Sequence, residues 1–207
     1  TGSPHNEGDG ITMAMEVGAD LWHMNNYAGP SMGLKVPEYR TTFSMVALHF
    51  SKVLDGGMIV VGPDSNRFAD EKRKTSHGKV YESGRWGPLM IPCPMYMIFD
   101  HKMFTSGPLY DKDPKAGWNT MVDRYDWSDD NSVELDRGWI KKTDTIAELA
   151  ESIGVDASTL ESTVGKWNED SAAGADTDFG RTMMLKPLAE GPFFALELSP
   201  SMLNTQG

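Results

Sequence analysis

Cysteine is almost absent from this chain of 207 residues: Cys93 stands alone. An internal disulfide and a thiolate zinc cluster are thereby excluded. Its setting, Ile91-Pro92-Cys93-Pro94, is rigid and apolar, so a buried, inert thiol is expected. No apolar run approaches the roughly 20 residues of a membrane span, and the polar, Gly-rich start has no leader-like pattern. Clustered basic residues are missing too. Nineteen Lys and Arg stand against 30 Asp and Glu, for a net charge of -11. That disfavours a nucleic-acid backbone or an anionic lipid surface as partner, and the acid excess serves solubility. None of His5, His23, His49, His77 and His101 forms a pair at metal-ligand spacing, so no metal is expected. With no Gly-x-Ser-x-Gly elbow, a Ser-His-Asp hydrolase reading has little support. The Gly-x-Gly-x-x-Gly fingerprint of a complete dinucleotide site is also absent.

What is present suits one globular domain, or one domain with pieces of a neighbour: 39% hydrophobic and 24% charged residues. Fourteen methionines and six tryptophans suit an irregular apolar core, or a surface that packs on a partner or planar ligand. Asp126, Ser128, Asp130, Ser132 and Glu134 alternate like a calcium loop. Asn131 stands where such a loop needs glycine, so a solvated acidic loop is expected instead.

Periodicity predicts a helix over about 10–21 with Asp9 as N-cap. A second is expected through Phe43, Val46, Ala47, Phe50 and Leu54, closed by Gly56-Gly57. Met58–Val61 and Met95–Phe99 read as buried strands, with Pro63–Asn66 as a turn. Residues 72–88 read as a loop and about 105–137 as a long irregular excursion. A short strand is expected at 138–142. Thr145-Ile146-Ala147-Glu148 matches a capping box, and Ser158-Thr159-Leu160-Glu161 a second. They begin two helices of a hairpin, with Leu160, Val164 and Trp167 on one face. Phe193–Leu198 reads as a last strand, broken by Pro200.

Six segments in order carry a family resemblance. They are Thr1-Gly2 with Gly8-Asp9-Gly10-Ile11-Thr12-Met13-Ala14 and Gly18-Ala19-Asp20-Leu21; Asn66-Arg67-Phe68-Ala69-Asp70-Glu71 after an apolar strand; and Tyr96-Met97-Ile98-Phe99-Asp100. Then come Asp144–Ala150 with Ile153-Gly154; Leu160, Thr163-Val164, Trp167-Asn168 and Asp178-Phe179-Gly180-Arg181; and Pro192–Ala195 with Asn204-Thr205-Gln206-Gly207. Together the chain resembles the FAD-dependent fumarate reductase and succinate dehydrogenase flavoprotein family, in its 3-ketosteroid dehydrogenase-like branch.

The resemblance implies an α+β capping domain of a two-domain flavoprotein, with short flanking pieces of the FAD-binding domain. Residues 1–30 would belong to the FAD-binding domain, 31–190 to the cap, and 191–207 to the return. The chain is accordingly expected to be an internal piece that does not retain FAD or turn over by itself. The implied chemistry is reduction or dehydrogenation of a carbon-carbon bond beside an activating carbonyl. The implied partners are a small-molecule substrate, the rest of the FAD-binding domain and an electron-transfer partner. By the resemblance, Asp9 and Gly10 lie at the cofactor, Asp70, Asn204 and Thr205 at the substrate, and Glu71 serves as a proton-relay acid. The residues alone read Gly8-Asp9-Gly10 as a plain helix start, and leave Glu71 equally a solvent-facing turn acid.

The sequence departs from the fumarate reductases at three places. His101-Lys102-Met103-Phe104 offers no arginine after Phe99-Asp100. Asn204 replaces a histidine, and Gly29-Pro30 stands near the place of another. A dicarboxylate needs cationic partners, so a neutral enone or steroid-like substrate is expected. A fumarate reductase proper and a non-catalytic ligand-binding module with the cap fold are the alternatives.

Overall fold

The computed structural model describes residues 7–22, 27–28, 31–39, 42–49, 52–72, 79–88, 91–112, 125–201 and 204–205. Its centre is an antiparallel sheet in the order β2 (Ser31–Leu34), β8 (Phe193–Ser201), β6 (Met95–Phe99), β3 (Met58–Val61), with β7 (Ile140–Thr143) also paired to β8. The apolar runs of β3 and β6 are buried at every position. Side chains alternate across a strand, so each run feeds two cores. Met58, Val60, Met95, Met97 and Phe99 face one, and Ile59, Val61, Tyr96 and Ile98 the other.

The second core is closed by a helical hairpin, α4 (Ile146–Ile153) and α5 (Ala157–Ala173), through Leu149, Ala150, Leu160, Val164 and Trp167. Thr145 and Glu148 form the expected capping box, and Gly154 ends α4 in the left-handed conformation. The second box does not form. Asp156 caps α5, its carboxylate accepting from the Thr159 amide at 2.8 Å. This cap places the first turn two residues earlier and still turns Leu160 inward.

The first core is closed by irregular chain rich in rings: Tyr39, Phe43, Tyr110, Tyr125, Trp127 and Trp139 meet mostly edge to face at 4.9–6.1 Å. Asn131, at φ 63, anchors this excursion. Its side-chain oxygen accepts from the Leu109 amide and the Trp127 indole, both at 2.8 Å, and its amide donates to the Phe104 and Gly107 carbonyls. Asn131 also precedes α3 (Ser132–Asp136), a helix not foreseen in that stretch.

Several expectations are corrected. The helix through Phe43 and Leu54 is absent among the described residues; Phe50 lies outside them. Phe43 pairs with Leu34 and Met45 with Tyr110 in extended bridges, and only Val46–Leu48 turns, as a 3-10 helix. Pairing with distant chain overrides the local helical spacing. Residues 72–88 hold a hairpin, β4 (Lys79–Glu82) and β5 (Arg85–Pro88), around Ser83 and Gly84 at positive φ. Such a pair suits a tight hairpin turn. Helix α1 spans Asp9–Glu16 with Gly8, not Asp9, as its N-cap, and α2 spans His101–Phe104. Cys93 is exposed, because the turn before β6 sends it to solvent. Strand β8 runs through Pro200. Beyond Leu198 it pairs with β2 but no longer with β6, so a proline's missing amide costs no ladder bond on the open side. Among the described residues no helix is long and apolar enough to cross a membrane.

Asp100 links β6 to α2. Its carboxylate accepts from the Met103 amide at 2.9 Å and the Gly57 amide at 3.1 Å. Gly56 adopts φ +101 against this cap, where a Cβ would lie 2.3 Å from the Met103 nitrogen. Gly84, at φ +80, has nothing within 4 Å of such an atom. Gly84→Ala should therefore cost about 1–2 kcal/mol of conformational strain, and Gly56→Ala at least roughly twice that, since backbone must also move. Urea titration of both variants checks the order; equal costs would refute the close approach at Gly56.

Candidate functional site

Strand β3 ends in a tight turn in which the Gly62 amide donates to the Asn66 carbonyl at 2.9 Å and Ser65 takes φ 63. The chain doubles back so that Arg67 bridges Val61, and its side chain enters the interior beneath α5. Glu71, one helical turn further in sequence, meets it there. Arg67 Nε donates to Glu71 Oε1 at 2.8 Å and Nη2 to Oε2 at 2.9 Å. The other edge of the same guanidinium is bidentate to Asp176, at 2.9 and 3.0 Å.

A second guanidinium completes the cluster. Arg181 Nη1 donates to Glu71 Oε2 at 3.1 Å and to the Met58 carbonyl at 2.8 Å. Its remaining nitrogens reach the Met183 and Met184 carbonyls. Glu71 Oε1 also accepts from the Val60 amide at 3.0 Å. The indole of Trp167, carried inward by α5, packs against both cations, 4.6 Å from Arg67 and 4.7 Å from Arg181. All four charged side chains are less than 10% exposed.

Two guanidiniums and two carboxylates balance. Burial works to raise the pKa of Asp176, but the Arg67 hydrogen bonds and the Arg181 amide outweigh it and hold the carboxyl well below the usual range. Burial works against charged Arg67, and Glu71 and Asp176 more than restore it. Arg181 is pulled below the ordinary arginine value, chiefly by burial, and an arginine remains charged there.

Of the residues singled out from the sequence, Asp70 and Glu71 lie here. Glu71 is a buried acid with every lone pair engaged, which corrects the solvent-facing reading. Asp70 is half-buried, burial pushes its pKa up, and its carboxylate accepts from the Lys72 amide at 2.8 Å. Asp9 and Gly10 lie apart, on exposed α1, whose described hydrogen bonds are all local. Open space surrounds Gly8 and Gly10, so the amides of this helix start could meet the polar edge of a cofactor. Asn204 and Thr205 form β9, paired through the backbone with Ala28 and Tyr27 of β1 (Tyr27–Ala28); their side chains lie outside the described residues.

Sequence reasoning missed Arg67, Asp176 and Arg181 as members of one site. Arg67 and Arg181 appeared only within family-like segments, and the four-residue spacing of Arg67 and Glu71 was the one local signal. A cleft of about 430 Å³ lies outside the cluster, lined by residues including Asn66, Arg67, Thr159, Lys166 and Phe179. Asp170, Asp176 and Asp178 converge beside it. Lys166 bridges Asp170 and Asp178 at 2.9 and 3.0 Å, and Arg67 holds Asp176, so each of these acids already has a protein cation as partner.

The model of the FAD binding domain family matches residues 1–207. A urocanate reductase of Eggerthella lenta is 40% identical over 90 residues, 42% of this chain and 15% of the relative. A probable fumarate reductase of Shewanella frigidimarina is 28% identical over 204 residues, 97% of this chain and 28% of the relative. Among solved structures, a 3-ketosteroid delta1-dehydrogenase of Sterolibacterium denitrificans aligns over 98% of this chain and 36% of its own, with TM-score 0.63 and 23% identity. That last likeness speaks for the fold. The chain spans about a third or less of the length of each of these proteins. Matched by the family over its whole length, the chain belongs to the FAD binding domain family of flavin-dependent oxidoreductases.

Proposed function

We propose that this chain supplies the substrate-covering cap of a FAD-dependent oxidoreductase acting on a carbon-carbon bond next to a carbonyl. Family membership over all 207 residues carries the flavin part of the reading. The cap part is supported by the path of the chain. Tyr27 lies opposite Thr205 and Ala28 opposite Asn204; further in, Ser31 lies opposite Ser201. The segment between thus leaves and returns side by side, as an inserted domain must. Residues 1–30 and the chain after β8 would belong to the FAD-binding part. The boundary proposed at 190 would then fall on the near side of a strand that the central sheet shares. Apolar Ile11, Met13, Met15 and Val17 of the α1 region are exposed, which fits a segment packed against other chain in the working protein.

Bound FAD supplies hydride transfer at its N5. Asp9 and Gly10, at the open start of α1, would meet the cofactor, and Asp70, Asn204 and Thr205 the substrate. Glu71 would serve as the proton-relay acid, held in place by its hydrogen bonds to Arg67 and Arg181. The substrate we favour is a neutral enone or steroid-like molecule. In support, His101–Phe104 forms a short helix capped by Asp100 and brings no arginine for a second carboxylate.

Two outcomes are expected. The 207-residue chain, purified alone, should show no stoichiometric flavin absorbance, whereas the longer protein containing it should be yellow and reduce a cyclic enone; robust fumarate turnover by that protein would refute the substrate assignment. Glu71→Gln leaves two buried guanidiniums facing one carboxylate, so it should lose about 3–5 kcal/mol of stability. Assayed well below its melting temperature, the same variant should lose at least tenfold in kcat with little change in KM. Unchanged kcat would remove the relay and leave Glu71 as a purely structural anion.

A further inference from the structure

Away from the arginine cluster, the chain sets a serine, a histidine and an aspartate side by side, the first two joined by a hydrogen bond and the last two at ion-pair distance. The antiparallel bridge of Met45 with Tyr110 sets Ser44 beside Asp111, whose amide donates to the Ser44 carbonyl at 3.1 Å. The 3-10 turn Val46–Leu48 then folds His49 back over the pair. Ser44 Oγ lies 2.7 Å from His49 Nε2. His49 Nδ1 lies 3.4 Å from Asp111 Oδ2 without a formed hydrogen bond, as catalytic contacts do before substrate tightens them. With its proton on Nδ1, facing the carboxylate, the ring presents Nε2 as acceptor to the serine hydroxyl.

The surroundings favour this arrangement. Asp111 is 2% exposed and its Oδ1 is held by Lys52 Nζ at 2.8 Å, with Oδ2 on the side of the imidazole. Lys72 Nζ, itself buried, donates to the carbonyls of Ala47, His49 and Lys52 and so pins the turn that carries the histidine. Ser44 and His49 are only half-buried, open to a small reagent. Among the described residues, the charged groups acting on the ring are Asp111, Lys52 and Lys72. Burial first, then the two lysines against the opposing aspartate, lowers the His49 pKa. The lowered value favours the neutral, basic form of the imidazole, and the lysines' positive field favours an oxyanion forming next to it.

We propose that Ser44 is an activated nucleophile, with His49 as its general base and Asp111 orienting the ring, and that it accepts the acyl group of small activated esters. Ser44 Oγ attacks the ester carbonyl carbon while its proton passes to His49 Nε2. The bond to the leaving alcohol oxygen breaks and that oxygen takes the proton. Water then attacks the acyl-serine, returning the serine hydroxyl and releasing a carboxylic acid. A fluorophosphonate follows the first half alone: the Oγ–P bond forms, the P–F bond breaks, and fluoride leaves.

The test treats the purified chain with diisopropyl fluorophosphate and with 4-nitrophenyl acetate. Adducts are mapped by peptide mass, and the rate is followed against pH. A single adduct on Ser44 is expected, absent in Ser44→Ala and formed at least about a hundredfold more slowly in His49→Gln. In the unmodified chain the rate should fall on the acid side with a midpoint below the ordinary imidazole value, a readout that holds even if His49→Gln fails to fold. No adduct, adducts only on other residues, or a Ser44 adduct whose rate ignores pH through the acid range would each overturn the proposal.

Discussion

Two guanidiniums and two carboxylates sealed beneath α5 set the terms for the rest of the described structure. Taking each such charge out of water costs several kcal/mol, and the cost is offset only where every donor and acceptor finds a partner. Here they do. Arg67 gives one edge to Glu71 and the other to Asp176, and Arg181 spreads its donors over Glu71 and three backbone carbonyls. Those carbonyls, with the Val60 amide held by Glu71, belong to β3 and to the chain that follows α5. The cluster therefore acts as a register pin between the sheet and the loop beyond the helical hairpin. A hydrophobic filling of equal volume would lack that directionality, which is the best-attested use of buried charge.

Around the pin, the sheet keeps two separate cores. One is closed by regular helices, the other by irregular chain that depends on Asn131 and a set of interlocking rings. The difference explains how the two halves read from sequence. Strands β3 and β6 were legible because continuous apolar runs of four or five residues are the mark of strands buried on both faces. The α4 capping box was legible because it is a contact within four residues. The segment from Phe43 onward was not. Its spacing fits a helix, yet Phe43 and Met45 are drawn into bridges with Leu34 and Tyr110, and nothing local announces those partners.

The same contrast divides the arginine site. Arg67 and Glu71 stand four residues apart and could be paired on paper. Asp176 and Arg181 lie 109 and 110 residues from their partners, so no window of sequence shows them converging. Family-like segments containing Arg67, Glu71 and Arg181 were visible, though none contained Asp176, and a resemblance says only that residues matter, not that two of them share one carboxylate. The hairpin at Ser83-Gly84 is a different kind of miss. Its turn chemistry was present in the sequence and was outweighed by the polar composition around it.

An isolated helix of eight residues is marginal in water. Yet α1 has no buried residue and turns Ile11, Met13 and Met15 outward, while the sheet and its two cores are closed on themselves. A helix with that composition needs apolar surface to lie on, and the self-contained sheet does not offer it. The adjacent strands β1 and β9 would suit such a division: both crossings between the parts would then run through one narrow antiparallel ladder. In that arrangement the cap would be held by its own arginine pin and cores, independent of the flavin, while the residues proposed to meet the cofactor and substrate would gather at the crossing, where Ala28 faces Asn204.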